Sequence, residues 1–173
     1  MKKVLLVIAS NGFQPKEYGD TKAALEAGGF LVQTASDRKG DALATDGSST
    51  LVDVVLEKVN VQEFDGVFFI GGPGALEHLD NQESNRILNE AMIAQKPYGA
   101  ICISPRILAK AHVLVGKQAT GWDQDGKLAE IFTQNNVEYL KEDVVVDGNI
   151  VTANGPLAAK AFGEAIVSVL ESI

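Results

Sequence analysis

A single cysteine among 173 residues excludes any internal disulfide. That fits a reducing compartment, and the expected location is the cytoplasm. Basic residues are scarce as well: 15 Lys and Arg stand against 23 Asp and Glu, for a formal net charge of −8. No Lys/Arg-rich stripe interrupts this acidic balance, so the chain is expected to repel phosphate backbones, and nucleic acid is excluded as a partner. Long apolar runs are missing. The longest, Val4–Ala9, Val67–Ile70 and Val144–Val146, fall far short of the ~20 residues a membrane helix needs, so no membrane partner is expected. The run after Lys2-Lys3 stops at Ser10-Asn11-Gly12, which reads as a first strand entering a loop and not as a signal peptide. Histidines number only two, and no His/Cys/Asp cluster has metal-ligand spacing, so neither metal nor cofactor is expected. Asp123-Gln124-Asp125-Gly126 lacks the later ligand positions of an EF-hand and reads as an Asp helix-cap region.

What remains is an ordinary globular composition, 46% hydrophobic and 22% charged. With no repeat, low-complexity tract or linker-like shift, residues 1–173 read as a single domain. Short β-rich runs alternate with helical patterns along it. Lys3–Ala9, Phe30–Ala35, Gly66–Ile70 and Tyr98–Ile101 read as strands, most of them of the continuous apolar type that is buried on both faces. Helices are expected over Pro15–Gly28, Asn81–Gln95, Pro105–Ala111, Gln124–Asn135 and Ala158–Leu170. Residues 36–65 read as irregular, with one short strand near Ser49–Val52. Asp147-Gly148-Asn149 marks a hairpin between Val144–Val146 and Ile150–Thr152. The alternation predicts an α/β fold with a mostly parallel sheet and a small antiparallel hairpin. Sites in such sheets form in loops at the carboxyl ends of strands, here Ser10–Tyr18, Gly71–Leu76 and Cys102–Pro105.

Cys102 sits where a strand runs directly into a helix, the geometry of a nucleophile elbow. The helix N-terminus behind it favours thiolate and predicts a lowered thiol pKa. Gly99 permits a close backbone approach at the elbow, and Pro105 suits the first helical turn. The competing reading is a small buried apolar cysteine. Gly71-Gly72-Pro73-Gly74-Ala75 leaves a strand of the same sheet. Its backbone N–H groups form either an oxyanion hole with Ile103 or a plain tight turn; the spacing is neither GxGxxG nor a P-loop. Glu17 lies after the first strand near the same sheet edge. It is either a solvated helix-start charge or a carboxyl that tunes the thiol and moves protons.

These residues resemble the ThiJ/PfpI superfamily. The match runs through Gly71–Ala75, Lys96-Pro97 to Cys102, Pro105-Ile107-Leu108-Ala109, Gly116-Lys117-Ala119-Thr120, Val144–Thr152 and the pattern Gly12-Phe13…Glu17, essentially the whole chain. The resemblance implies a flavodoxin-like three-layer sandwich of the glutamine-amidotransferase type, usually homodimeric. It carries the elbow cysteine onto Cys102, its acidic partner onto Glu17, and oxyanion N–H groups onto the Gly72–Gly74 loop and Ile103. One departure stands out: the protease-like branch has His directly after the cysteine, where this chain has Ile103. Ser104-Pro105 and Asn154-Gly155-Pro156 resemble the deglycase branch more closely. Where that branch has a histidine after Ala119-Thr120, this chain has Gly121-Trp122. Trp122, Pro156 and His78 are candidate site-lining residues; for His78 the alternative is a solvent-facing side chain, and His112 reads as a helix C-terminal cap.

The resemblance therefore implies a cofactor-independent, cysteine-dependent enzyme on small reactive carbonyls, with Cys102 as nucleophile and Glu17 as proton shuttle. The alternative is a non-catalytic redox-sensing stress protein whose Cys102 oxidises reversibly. A PfpI-like amidase or isonitrile hydratase is weaker, and peptidase chemistry is weakest because Ile103 removes the usual base.

Overall fold

The computed structural model describes residues 1–173. β1 (Lys3–Val7) and β2 (Asn11–Phe13) precede α1 (Pro15–Ala27), after which come β3 (Leu31–Ser36), β4 (Gly40–Ala44), β5 (Ser49–Val52) and β6 (Val54–Val55). Two short 3-10 turns lead to β7 (Gly66–Phe69), then α2 (Ala75–Leu79), α3 (Gln82–Ile93), β8 (Tyr98–Ile101) and α4 (Pro105–Lys110). β9 (Gln118–Ala119), α5 (Leu128–Gln134), β10 (Glu138–Tyr139), β11 (Val144–Asp147), β12 (Ile150–Ala153) and α6 (Ala159–Glu171) complete the chain.

The central sheet has seven strands in the order β11-β12-β8-β7-β1-β3-β6, parallel throughout except for the β11–β12 hairpin. Every residue of β7, β8 and β12 is buried, as expected of strands covered on both faces. α1 and α6 pack on each other over one face; α3 and α4 lie against β7 and β8 on the other. Gly163 of α6 makes the first contact possible, since a Cβ there would lie 2.6 Å from the Cβ of Ala24. All the buried apolar side chains except Val145 form one connected cluster, and no helix is long and apolar enough to cross a membrane. This is the α/β architecture expected, mostly parallel with a small antiparallel portion.

Three local readings need correction. The segment after Ser36 is not mainly irregular: β4 and β5 form a hairpin that β2 joins, making a separate three-stranded sheet. The helix expected over Gln124–Asn135 starts later, at Leu128. Gly126 takes a left-handed φ of 70°, and Asp123 Oδ1 accepts the Leu128 N–H at 2.8 Å, so the cap reading holds while the first turn moves. Gly99 serves the sheet and not the elbow: a Cβ there would run into the Val151 carbonyl of the neighbouring strand.

Helix ends follow a common pattern. After α1, α3, α4 and α5 the chain turns through a left-handed residue: Gly29, Gln95, His112 and Asn136 in turn. In each case paired N–H bonds close the Schellman motif, such as His112 to Ala109 and Val113 to Leu108. His112 thus caps α4 through its backbone.

Candidate active site

The order of strands along the sheet reverses at β1. β3 lies on one side of it and β7 on the other, which makes the carboxyl ends of β1 and β7 the crevice of the sheet. The loop after β1 and the glycine loop after β7 meet there backbone to backbone. Gln14 N–H donates to the Gly71 carbonyl and Gly74 N–H to the Gly12 carbonyl, both at 3.0 Å. A Cβ on Gly72 or Gly74 would collide with the backbone of residues 11–13. Glycine is required here for close approach.

β8 ends next to this crevice, and Cys102 follows it with φ +63°. A left-handed non-glycine residue costs about 1–3 kcal/mol and persists only where its surroundings hold it. Those surroundings are visible. Cys102 N–H donates to the Ala153 carbonyl at 2.9 Å, its carbonyl accepts the Trp122 N–H at 2.7 Å, and the buried Ser104 hydroxyl donates to the Ile70 carbonyl at 2.7 Å. The elbow is pinned on three sides.

Glu17 arrives from the first turn of α1, where Gln14 Oε1 caps the helix by accepting the N–H groups of Lys16 and Glu17. Its carboxyl is fully buried. Oε2 accepts the Gly71 N–H at 2.8 Å, and Oε1 has no hydrogen-bond partner. Gly71 separates the acid from the elbow: a Cβ on it would lie 2.6 Å from Cys102 Cβ and 2.8 Å from Glu17 Oε2. Burial pushes the Glu17 carboxyl up to about 7, against the opposing pull of the Gly71 N–H and the Cys102 thiol. Burial and then the Glu17 carboxylate push the thiol up to about 12, while the N–H groups of Ile103 and Gly72 pull it down. The lowered thiol pKa expected from the helix dipole is therefore reversed. α4 has only six residues, and desolvation together with a neighbouring anion outweighs its N-terminus.

Two further expectations change. The N–H groups of Gly72 and Ile103 bear on the sulfur, whereas that of Gly74 is already given to Gly12 and leaves nothing for an oxyanion. His78 does not line the cleft over Cys102. Its Nδ1 lies 3.0 Å from Asp37 Oδ2, and Ser10 donates to the same carboxylate through both N–H and hydroxyl; the ring is neither at the thiol nor free in solvent.

The cleft above the sulfur has a volume of ≈ 820 Å³, within the usual range for small-molecule sites. Trp122, Pro156 and Ile103 line it, joined by residues the sequence reading missed: Gln14, Tyr139, Asp143 and Asn154. Asn154 carried one signal, its place in Asn154-Gly155-Pro156; the others arrive through tertiary packing. The wall at Trp122 is braced from behind. Arg106, buried in α4, lies 5.4 Å from the centre of the Trp122 ring. It donates to Asp125 at 2.7 and 3.0 Å and to the Trp122 carbonyl at 3.1 Å.

A model of the DJ-1/PfpI family matches residues 2–169. A deglycase of Pyrococcus horikoshii is 29% identical over 96% of this chain and 99% of its own. A glutathione-independent glyoxalase of Caenorhabditis elegans is 26% identical over 98% of this chain and 89% of its own. The crystal structure of a ThiJ/PfpI domain protein from Brachyspira murdochii superposes with a TM-score of 0.93 at 32% identity, covering 99% of this chain and 97% of that one.

Proposed function

The chain belongs to the DJ-1/PfpI family, and from that premise we propose that it is a cysteine-dependent enzyme of small reactive carbonyl compounds, a glyoxalase or deglycase. One observation carries the reading: a fully buried carboxyl with an unpartnered oxygen stands beside a left-handed cysteine at the floor of a cleft. The names of the Pyrococcus and Caenorhabditis relatives support it at modest identity.

Between about 7 and about 12 the two groups hold one proton between them. When that proton sits on Glu17, the sulfur is a thiolate facing two peptide N–H groups. Thiolate attack on the aldehyde carbon of methylglyoxal forms a C–S bond, and the Glu17 proton passes to the new oxyanion to give a hemithioacetal. The Glu17 carboxylate then removes the proton on that carbon and returns it to the adjacent one, while the hemithioacetal hydroxyl proton passes to the former ketone oxygen, turning the ketone into an alcohol and the hemithioacetal into a thioester. Water hydrolyses the thioester, releasing lactate and the thiol. No external oxidant is consumed, because one carbon is oxidised as its neighbour is reduced. The family resemblance extends the proposal to a homodimer as the working unit.

Lactate formation from methylglyoxal by the wild type and by Cys102→Ser tests the reading. Turnover that Cys102→Ser loses supports it, and equal background rates sink it. A second reading, reversible oxidation of Cys102 by peroxide, draws support from the unpartnered Glu17 oxygen beside the partly exposed sulfur. Intact mass after mild peroxide separates the two: oxidation to the reversible sulfenate adds roughly one oxygen and further oxidation to the sulfinate roughly two, and Cys102→Ala gains neither.

A further inference from the structure

We propose that this cleft selects its carbonyl compounds by charge, preferring cationic over anionic ones, with Asp143 as the specificity-determining residue. The inference rests on the enzymatic reading above for its substrates, but not for its electrostatics. None of the sixteen residues lining the cleft is Lys, Arg or His, whereas Asp123 and Asp143 both are lining residues. The two carboxylates are differently placed. Asp123 Oδ1 accepts the Leu128 N–H and its Oδ2 accepts the Tyr139 hydroxyl at 3.3 Å. Asp143 is exposed at the mouth, and only its Oδ1 is engaged, by Asn154 Nδ2 at 3.1 Å.

The cation that stacks behind the Trp122 wall is already matched. Arg106 forms its fork-like pair with Asp125, so its charge is neutralised behind Trp122. Trp122 and Tyr139 add aromatic surface to the lining, of the kind that receives ammonium and guanidinium groups. Below them, Glu17 adds a further negative charge whenever it is ionised. A substrate carboxylate entering this cleft would lose water and find no cation to replace it. An ammonium-bearing carbonyl would meet a free carboxylate oxygen and two ring systems.

Because Cys102 is the only thiol, selectivity can be read without turnover. Two methanethiosulfonates are compared, one carrying a trimethylammonium-ethyl group and the other a sulfonatoethyl group. In each case the thiolate attacks the sulfenyl sulfur, a disulfide forms and methanesulfinate leaves. The ratio of cationic to anionic rates at Cys102 is divided by the same ratio for a small free thiol. The expected value is about fivefold or more in favour of the cation at low salt, shrinking as salt is added. Asp143→Asn should reduce it by about half or more, and Asp143→Lys should bring it below one. A normalised ratio near one in the wild type, an unchanged ratio in both variants, or no modification by either reagent overturns the proposal. A parallel arm compares kcat/KM for three 2-oxoaldehydes that all carry the ketone the rearrangement needs: 5-trimethylammonio-2-oxopentanal, methylglyoxal and 4,5-dioxopentanoate. Loss of all turnover with the thiol ratio intact refutes the enzymatic reading and leaves charge selection standing; turnover without the predicted ranking refutes charge selection alone.

Discussion

Replacing Glu17 with glutamine removes one ionisable group from the interior at almost constant volume. The carboxyl has an ordinary value of 4.5 and is held at about 7 in the folded protein, mainly by burial. Between those pH values the native state keeps a proton that the unfolded chain has already released. The sign follows directly: the contribution to stability is fully present below 4.5 and is lost as pH rises through about 7. At about 1.4 kcal/mol per pH unit the loss amounts to ~3 kcal/mol across the window. Urea unfolding of wild type and Glu17→Gln at several pH values between 4 and 8 isolates this group, because all other carboxylates are common to both. The stability difference, variant minus wild type, should grow by about 3 kcal/mol from the acid to the alkaline end. Alkylation of Cys102 by iodoacetamide provides an independent reading. In the wild type its rate should rise through an inflection near 7, as the pair gives up its first proton, and Glu17→Gln should lack that inflection. Parallel stability curves together with coincident alkylation profiles would refute the assignment of a buried, protonatable carboxyl beside the sulfur.

Gly71→Ala should disable the site while leaving both reactive residues in the sequence, because the new methyl would lie 2.6 Å from Cys102 Cβ and 2.8 Å from both Glu17 Oε2 and the Ile101 carbonyl. Lactate formation should fall by about tenfold or more, with a stability loss of about 1–3 kcal/mol; an unaffected rate would show that the two groups need not be held together. Gln95→Gly should stabilise the protein, since Gln95 caps α3 at φ +55°. Relief of about 1 kcal/mol of left-handed strain is partly offset by the greater freedom of glycine in the unfolded chain. A melting temperature raised by roughly 1–3 °C is expected, and a fall would contradict the strain argument.

The sheet is legible because β1, β7, β8 and β12 are nearly continuous apolar runs, most of them bounded by glycine or asparagine turns and β8 by Pro97 before and Ser104-Pro105 after. β4 is not, because its burial alternates and only Ala42 and Ala44 are covered; the sequence Gly-Asp-Ala-Leu-Ala signals a strand weakly. The start of α5 is hard to read because Asp123, Gln124 and Asp125 all suit a helix N-terminus, while the left-handed Gly126 and the reach of the Asp123 carboxylate to the Leu128 N–H depend on how the loop folds. Cys102 as an elbow could be read locally from the strand-to-helix junction. Its partnership with Glu17 was available only from the family resemblance, since no local pattern joins positions so far apart. The thiol's upward shift is not legible, because helix position can be read from sequence but desolvation cannot. Asp143 and Tyr139 lacked any signal, as their place at the cleft follows from how β10 and β11 are set against the loop after Thr120.

The bond from Cys102 N–H to the Ala153 carbonyl has a consequence during synthesis. A growing polypeptide exposes its sole thiol some fifty residues before the peptide group that anchors it has been made. Until residue 153 emerges, the left-handed bend lacks one of its three restraints, and the sulfur and its acid are free to drift apart. Chemical competence therefore comes at the end of translation, and a ribosome stalled between these two points presents an ordinary, unassisted thiol.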